Sequence, residues 1–213
     1  GPPPLYTLFP YTTLFRSIQH RLHNRTQMYL KVSKLRYDAM LEQIHCTTDR
    51  NLTKESIHAI ADCGFIVRGE NILITGSAGC GKSFLACAIG RQACAFGYKT
   101  LYFSMSKLLE KIAVCKLEGT LLKFYAQIEK TQLLILDDFG LQPLDATSRL
   151  VLLQILEDRY GKKSTIITSQ LPVGSWYEYI NESTIADAIM DRLSASAHRF
   201  DLKGESLRKR IIK

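Results

Sequence analysis

The sequence has 213 residues, a formal net charge of +8, 46% hydrophobic residues and 23% charged residues. This composition is ordinary for a globular protein, and the length suits one compact domain with short attachments. No apolar stretch is long enough to span a membrane, and the first residues lack the features of a secretory signal. We therefore expect a cytoplasmic protein with no membrane partner.

The positive charge is concentrated at two ends of the sequence. Residues 16–36 contain six Lys or Arg and no acid, and residues 203–213 contain five Lys or Arg against one Glu. A near-neutral body between basic ends is typical of a protein that binds polyanions. Basic runs are also common as solvated ends without a nucleic-acid partner, so charge alone leaves both interpretations open.

The first sixty residues divide into two stretches. Residues 1–17 are rich in Pro and Thr and show no period, and they resemble translated sequencing-adapter read-through. We predict that they are disordered or artefactual and exclude them from the fold. Residues 18–62 are predicted to form a helical, basic N-terminal portion. Apolar residues recur there at near-helical spacing, as at Leu30, Leu35, Met40, Leu41 and Ile44.

From a boundary near Cys63–Gly64, short apolar strands alternate with helices. The predicted strands are Asn71–Thr75, Thr100–Phe103, Leu133–Leu136 and Thr165–Thr168. The predicted helices are Lys82–Phe96, Ser106–Val114, Leu121–Ile128, Asp145–Tyr160, Trp176–Ile180 and Ile185–Leu193. Continuous apolar strands that alternate with helices imply a parallel sheet covered on both faces. We predict an α/β three-layer sandwich over residues 63–202, followed by a basic tail at 203–213.

A glycine-rich motif lies between the first strand and its helix. The pattern G-x-x-x-x-G-K-[ST] is matched at every fixed position by Gly76, Ser77, Ala78, Gly79, Cys80, Gly81, Lys82 and Ser83. Its glycines let backbone N–H groups turn toward phosphate oxygens, and the helix N-terminus adds a partial positive charge. We predict that this loop and the adjoining Phe84 bind ATP. Lys82 would contact the β- and γ-phosphates, and Ser83 would be a ligand to Mg²⁺.

Two acids follow the third predicted strand. Asp137 and Asp138 come directly after Leu133–Leu136, where the strand reaches the carboxyl edge of the sheet. Ligands bind at that edge in open α/β sheets. We expect Asp137 to hold magnesium, directly or through water, and Asp138 to orient or deprotonate the attacking water. At the tip of the last strand, Gln170 or its neighbour Ser169 is a candidate contact to the γ-phosphate, although an ordinary strand end is equally consistent with the sequence.

These stretches together resemble the AAA+ ATPases, and among them the IstB-like proteins of bacterial insertion sequences, to which the helicase loader DnaC is related. The matching segments are NILITGSAGCGKSFLACAIGRQA, LLILDDFGLQPL, LEDRYGKKSTIITSQLPVGSWYEYI and TIADAIMDRLSASAHRFDLKGESLRK. The resemblance covers most of the chain, from about Leu35 to Lys213. It implies the AAA+ core fold, ATP-driven assembly into a homo-oligomeric ring or filament on double-stranded DNA, and assistance to a transposase.

The resemblance also implies roles for two arginines. Arg192, in the segment Asp191-Arg192-Leu193, would contact the ATP of a neighbouring subunit, and Arg208 would act as a second phosphate sensor. A surface salt bridge is the commoner use of an Asp-Arg pair, and it remains the alternative for Arg192.

Two other functions compete with the transposition helper. A DnaC-like helicase loader would use its N-terminal helices to contact a helicase rather than DNA. A small P-loop kinase would explain Lys82 and Ser83, but it does not need the acid pair, the polar strand tip or Arg192.

Overall fold

The computed structural model describes residues 9–207. Within that range the chain forms five strands: β1 (Asn71–Gly76), β2 (Thr100–Ser104), β3 (Leu133–Phe139), β4 (Ser164–Ser169) and β5 (Ala197–Leu202). It also forms nine α-helices: α1 (Phe9–Ser33), α2 (Lys54–Ala61), α3 (Gly64–Val67), α4 (Lys82–Ala95), α5 (Met105–Leu117), α6 (Leu121–Glu129), α7 (Ala146–Arg159), α8 (Trp176–Ile180) and α9 (Ser183–Ser194). None of these helices is long and apolar enough to cross a membrane.

The strands form one parallel sheet in the order β2-β3-β4-β1-β5. Strand β4 lies between β1 and β3, with Thr75 paired to Ser169 and Leu136 paired to Ile167. The carboxyl ends of β1, β3 and β4 therefore meet at one edge of the sheet. The predicted parallel sheet is confirmed.

Helices cover both faces of this sheet. Ile72 and Ile74 of β1 point into a core that α2, α3 and α4 complete, whereas Leu73 points into a second core with α5 to α9. Because successive side chains of a strand face opposite sides, a strand covered on both faces must be apolar at every position. This is why the central strands are continuous apolar runs, and it confirms the predicted three-layer sandwich.

Strand β5 was not among the predicted strands. It pairs in parallel with the whole length of β1 and forms an edge of the sheet. Only Phe200 and Leu202 of β5 are buried, so the strand alternates between polar and apolar residues instead of forming an apolar run. That alternation was the available signal. Its pairing with β1 brings the residues that follow Leu202 close to the glycine-rich loop.

The N-terminal region differs from the prediction in two ways. Helix α1 begins at Phe9, so residues 9–17 are helical rather than disordered; residues 1–8 lie outside the described residues. Pro10 is compatible with this helix because it lies in the first turn, where a backbone N–H has no helical partner.

The second difference concerns residues 34–53, which are not helical. Lys34 adopts a positive φ of 58° and ends α1, and only two short 3-10 turns follow, at Leu41–Gln43 and Thr48–Arg50. Leu35, Tyr37 and Ile44 instead pack against the core beside α4. The spacing of Leu35 and Ile44 suggested a helix because both side chains pack against the same core, although the backbone between them is irregular.

Arg159 is buried at the end of α7, with 2% of its surface exposed. Its guanidinium donates to four carbonyl oxygens and one hydroxyl, those of Ile128, Thr131, Gln132, Ser164 and Thr165. Burial lowers the pKa of Arg159 to about 9, so the side chain is still a cation at neutral pH. The hydrogen bonds of Arg159 thereby link the α6–β3 connection to the start of β4.

Candidate functional site

The glycine-rich loop connects β1 to α4, as its sequence predicts. Gly76, Gly79 and Gly81 all have positive φ values, of 143°, 82° and 97°. At Gly76 a Cβ atom would overlap the carbonyl oxygen of Leu202, so only glycine allows β5 to approach here. Gly81 is the N-cap of α4, which directs the positive end of the helix dipole at the loop.

Lys82 is the first residue of α4 and is buried. Its Nζ donates to the carbonyl oxygens of Gly76 and Ser77, each at 2.8 Å, and lies 4.0 Å from the Sγ of Cys80. These contacts curve the side chain back over the loop. The ammonium group is therefore positioned above the loop backbone, where the phosphates of a nucleotide would lie.

Asp137, at the end of β3, is completely buried and joins the loop to the sheet. Its Oδ1 accepts hydrogen bonds from the hydroxyl of Ser83 at 2.8 Å and from that of Thr168. Its Oδ2 accepts from the hydroxyl of Tyr102 at 2.5 Å. Burial and this hydrogen bond raise the pKa of Tyr102 well above its usual range, so the phenol stays protonated and donates to the carboxylate.

Asp138 directly follows Asp137 in the chain, and Asp138 and Gln170 both line the same cavity as the loop. Asp138 adopts a positive φ of 63°, and its backbone N–H donates to the Thr168 hydroxyl at 3.1 Å. Ser169, the alternative to Gln170, is buried, and its hydroxyl donates to the Phe139 carbonyl at 2.6 Å. The geometry therefore favours Gln170 over Ser169 as the polar side chain that reaches the cavity.

The cavity has a volume of about 380 Å³ and is lined by two chemically different sets of residues. The glycine-rich loop and the polar side chains contribute Ala78, Gly79, Gly81, Lys82, Ser83, Asp138, Gln170, Gln43, His45 and Arg50. The mostly apolar side chains are Tyr37, Ile44, Leu52, Phe84, Leu85, Leu202 and Leu207. This set of groups fits a nucleotide: the loop, Lys82 and Ser83 could hold phosphates, the Ser83–Asp137 pair could hold a magnesium ion, and the apolar side chains could pack against a base.

The N-terminal segment supplies site residues that the sequence did not single out. The Nη2 of Arg50 donates to the Cys80 carbonyl at 2.6 Å, and the Nη1 of Arg36 lies 3.4 Å from Asp138 Oδ2. Tyr37 packs against Phe84, with ring centroids 6.1 Å apart. No local motif marks these residues, because they reach the site only through the irregular path of residues 34–53.

Arg192 lies far from this cavity. Its carbonyl oxygen accepts a hydrogen bond from Asn71, the first residue of β1, whereas the glycine-rich loop follows the last residue of β1. The strand separates the two by roughly 17 Å at about 3.3 Å per residue. The Arg192 guanidinium donates to Glu157 at 2.6 Å and to Asp191 at 3.2 Å. Arg192 therefore does not contribute to the cavity of its own chain. Arg208 lies outside the described residues.

Sequence comparisons place this geometry in a family. The family model described as IstB-like ATP binding protein matches residues 11–213. An insertion sequence ATP-binding protein of Sinorhizobium fredii is 42% identical over 196 residues, which are 92% of this chain and 80% of that protein. Another from Geobacillus stearothermophilus is 34% identical over 205 residues, which are 96% of this chain and 82% of that protein.

Solved structures share the fold at lower identity. The crystal structure of the DnaC helicase loader matches with a TM-score of 0.64 and 22% identity, covering 78% of this chain and 98% of that one. DnaA of Aquifex aeolicus bound to AMPPCP matches with a TM-score of 0.68 and 21% identity, covering 84% of this chain and 55% of that one. These likenesses show the fold alone, a parallel sheet with flanking helices. Given the family match over nearly the whole sequence and the relatives that share it, the chain belongs to the IstB-like ATP-binding proteins of insertion sequences.

Proposed function

We propose that this protein binds ATP with Mg²⁺, hydrolyses it to ADP and phosphate, and assembles on double-stranded DNA to assist a transposase in target selection and insertion. The observation that supports the ATP site best is the 2.8 Å hydrogen bond between Ser83 and Asp137. It holds together a hydroxyl from the phosphate loop and a buried carboxylate from the neighbouring strand tip. Those are the two groups between which P-loop enzymes hold their metal.

The loop backbone and the side chains around it have distinct roles in this proposal. The backbone from Gly76 to Gly81 surrounds the phosphates, and Lys82 exchanges its two carbonyl acceptors for phosphate oxygens. Ser83 and Asp137 hold the metal, which when bound neutralises charge on the phosphates. Tyr102 and Thr168 fix both oxygens of Asp137, so the carboxylate is oriented before a ligand arrives.

Asp138 and Gln170 act on the water molecule. Asp138 accepts a proton from the water as its oxygen attacks the γ-phosphorus and the bond to the β-phosphate oxygen breaks. Gln170 contacts the γ-phosphate or the water. Many ATPases have Glu at the position of Asp138, and Asp is shorter by one methylene. Hydrolysis is therefore expected to be slow, or to depend on assembly and DNA.

Helix α1 supplies the DNA contact in this proposal. Arg16, Arg21, Arg25 and Lys31 are all exposed on this helix, and no acidic residue lies among them. Exposed cationic side chains bind DNA by releasing counterions from its phosphates. The affinity for DNA therefore falls steeply as the salt concentration rises.

Salt dependence tests this role of α1. Replacing both Arg16 and Arg21 by Gln should weaken DNA binding and reduce the slope of log K against log salt by about 2, because about 0.9 counterions are released per phosphate contact. Fluorescence anisotropy with a DNA duplex and an ATP analogue, over a salt series, measures this slope. A control removes the same charge elsewhere, at the exposed residues Lys54 and Lys162. An equal loss of slope in that control would contradict a specific role for α1.

Assembly explains why Arg192 lies at the opposite end of the sheet from the loop. An arginine that cannot reach its own nucleotide can complete the site of a neighbour in a head-to-tail ring or filament. The hydrogen bonds from Arg192 to Glu157 and Asp191 keep the guanidinium on the surface, where a neighbour can reach it. The ATP site is then complete only in the oligomer.

Mixing two inactive variants tests this arrangement. Lys82→Ala retains Arg192 but lacks the phosphate contact, whereas Arg192→Ala retains an intact loop. Each alone should lose most ATPase activity, while their mixture should recover part of it, because interfaces form that combine Arg192 from one variant with Lys82 from the other. ATPase rates across mixing ratios, with sizing in ATP and DNA, provide the measurement. A mixture no more active than the sum of its parts would exclude action in trans.

The partner distinguishes a transposition helper from a helicase loader. The relatives at 34% to 42% identity are insertion sequence proteins, whereas the helicase loader DnaC shares 22% identity and hence only the fold. Affinity capture with the transposase of the same insertion sequence and with a replicative helicase, both in ATP, compares the two functions directly. Recovery of the helicase alone would overturn the transposition role. ATP consumption stimulated by a small metabolite, and not by DNA, would instead indicate a kinase.

A further inference from the structure

Arg36 contacts both acids of the candidate metal site. Its Nη1 lies 3.5 Å from Asp137 Oδ2 and 3.4 Å from Asp138 Oδ2. Asp137 is completely buried, and a buried carboxylate is strongly destabilising without a nearby cation or hydrogen-bond donors. Arg36 belongs neither to the glycine-rich loop nor to the sheet. Its positive charge nevertheless stabilises both carboxylates.

The backbone around Arg36 is firmly attached to α4, the helix that follows the glycine-rich loop. Leu35 packs so closely on Gly90 that a Cβ at Gly90 would lie 2.9 Å from its Cδ2. Asp38 pairs with Arg91 of the same helix, and Ala39 is completely buried. Because both sides of Arg36 are anchored, its backbone is held in place while its long side chain can change position.

The side chain itself is partly free to move. It is 43% exposed, and its guanidinium lies over the ring of Tyr37, 5.4 Å from the centroid. Tyr37 lines the cavity together with Lys82, Asp138 and Gln170. Arg36 therefore reaches the cavity through Asp138, which lines it, and through the neighbouring Asp137, which accepts the Ser83 hydroxyl. The last phosphate of a nucleotide would lie near a metal held by Ser83 and Asp137.

A metal at Asp137 would change the partner of Arg36. Two positive groups that share one carboxylate repel each other, so the contact between Arg36 and Asp137 would weaken if Ser83 and Asp137 held a divalent cation. Phosphate is a strong alternative partner, because the planar fork of arginine matches two phosphate oxygens.

We propose that Arg36 is a phosphate-contacting residue acting within its own chain, and that it distinguishes ATP from ADP. With Mg²⁺·ATP in the cavity, its guanidinium turns from Asp137 and Asp138 to the γ-phosphate. ADP lacks that phosphate, so it leaves the arginine with the aspartates or with solvent. This inference rests on the proposed nucleotide site and adds to it a discriminating residue supplied by the N-terminal segment.

Nucleotide affinities test the proposal without relying on turnover. Dissociation constants for a non-hydrolysable ATP analogue and for ADP, both in saturating Mg²⁺, are measured by calorimetry for the wild type, Arg36→Gln and Arg36→Lys. Arg36→Gln should weaken the ATP analogue by about tenfold, as expected for one charge-assisted contact, and should change ADP affinity by less than about twofold. Arg36→Lys keeps the charge but loses the planar fork of donors. Its affinity for the ATP analogue should lie between that of the wild type and that of Arg36→Gln.

A matched arginine serves as the control. Arg68 pairs with Glu70 at 2.8 Å. Both residues come just before β1 and therefore lie at the opposite end of the sheet from the cavity. Arg68→Gln should alter the affinity for neither nucleotide. Equal weakening of both nucleotides by Arg36→Gln would show a merely structural role and overturn the proposal. Equal tightening of both would show that Arg36 only competes with the metal, and would overturn it too. If the wild type bound neither nucleotide, the proposed function itself would fail, whereas binding with an unchanged ratio in Arg36→Gln would refute this inference alone.

Discussion

Lys82→Ala is expected to weaken the binding of Mg²⁺·ATP by about a hundredfold. The Nζ of Lys82 is held 2.8 Å from two loop carbonyls, in position to contact the phosphates. Losing about 3 kcal/mol of charge-assisted hydrogen bonding corresponds to that factor. Titration of a fluorescent ATP analogue, with the unfolding temperature of each variant as a check on folding, measures the effect.

Lys111→Ala is the matched control for this experiment. Lys111 has the same side chain but lies exposed on α5, away from the cavity, so its replacement should leave the affinity unchanged. If Lys82→Ala bound nucleotide as tightly as Lys111→Ala, the glycine-rich loop would not be the phosphate site. The ATPase, assembly and DNA proposals would then lose their common basis.

Arg159→Met is expected to lower the free energy of unfolding by about 3 to 5 kcal/mol. Methionine fills a similar space but donates no hydrogen bond, so five acceptors around the α6–β3 connection and β4 each lose one hydrogen bond. In a domain of this size the unfolding temperature should fall by about 10 °C. Thermal unfolding followed by circular dichroism measures this change.

Two further variants separate the hydrogen-bond network from charge alone. Arg159→Lys keeps the positive charge with fewer donors, so it should recover only part of the lost stability. Arg68→Met removes an exposed arginine with a surface partner, and the unfolding temperature should scarcely change. If Arg159→Met were as stable as Arg68→Met, the buried guanidinium would not be a structural support of the sheet.

The fold and the centre of the site could be predicted because their signals are contiguous in sequence. Residues 76–83 form the loop through their own glycines and the strand and helix that flank them. Asp137 and Asp138 follow an apolar run that is typical of a buried strand. In a parallel sheet, the ends of such strands meet at one edge, so local patterns were sufficient to bring these groups together.

Other parts of the site could not be predicted from the sequence, because they depend on contacts between residues that are far apart in the chain. Tyr102 donates to Asp137 across 35 positions, and Arg36 reaches Asp138 across 102 positions. From the sequence, Arg159 is predicted to be a polar residue at the end of an amphipathic helix. The hydrogen-bond acceptors that bury it lie on neighbouring segments of the fold. The helical interpretation of residues 34–53 was wrong for the same reason: apolar spacing reports which side chains are buried, not the backbone path between them.

By itself, therefore, the sequence determined the parallel three-layer architecture, the glycine-rich loop between β1 and α4, and the acid pair at the end of β3, since each depends on the conformation of a short segment. Only the tertiary structure decided which positively charged side chains lie near the site. It placed Arg36 beside Asp137 and Asp138, Arg50 beside the glycine-rich loop, and Arg192 at the opposite end of the sheet. The physical reason is that a charged side chain gains its role from the groups it meets in space, and those groups come from distant parts of the chain.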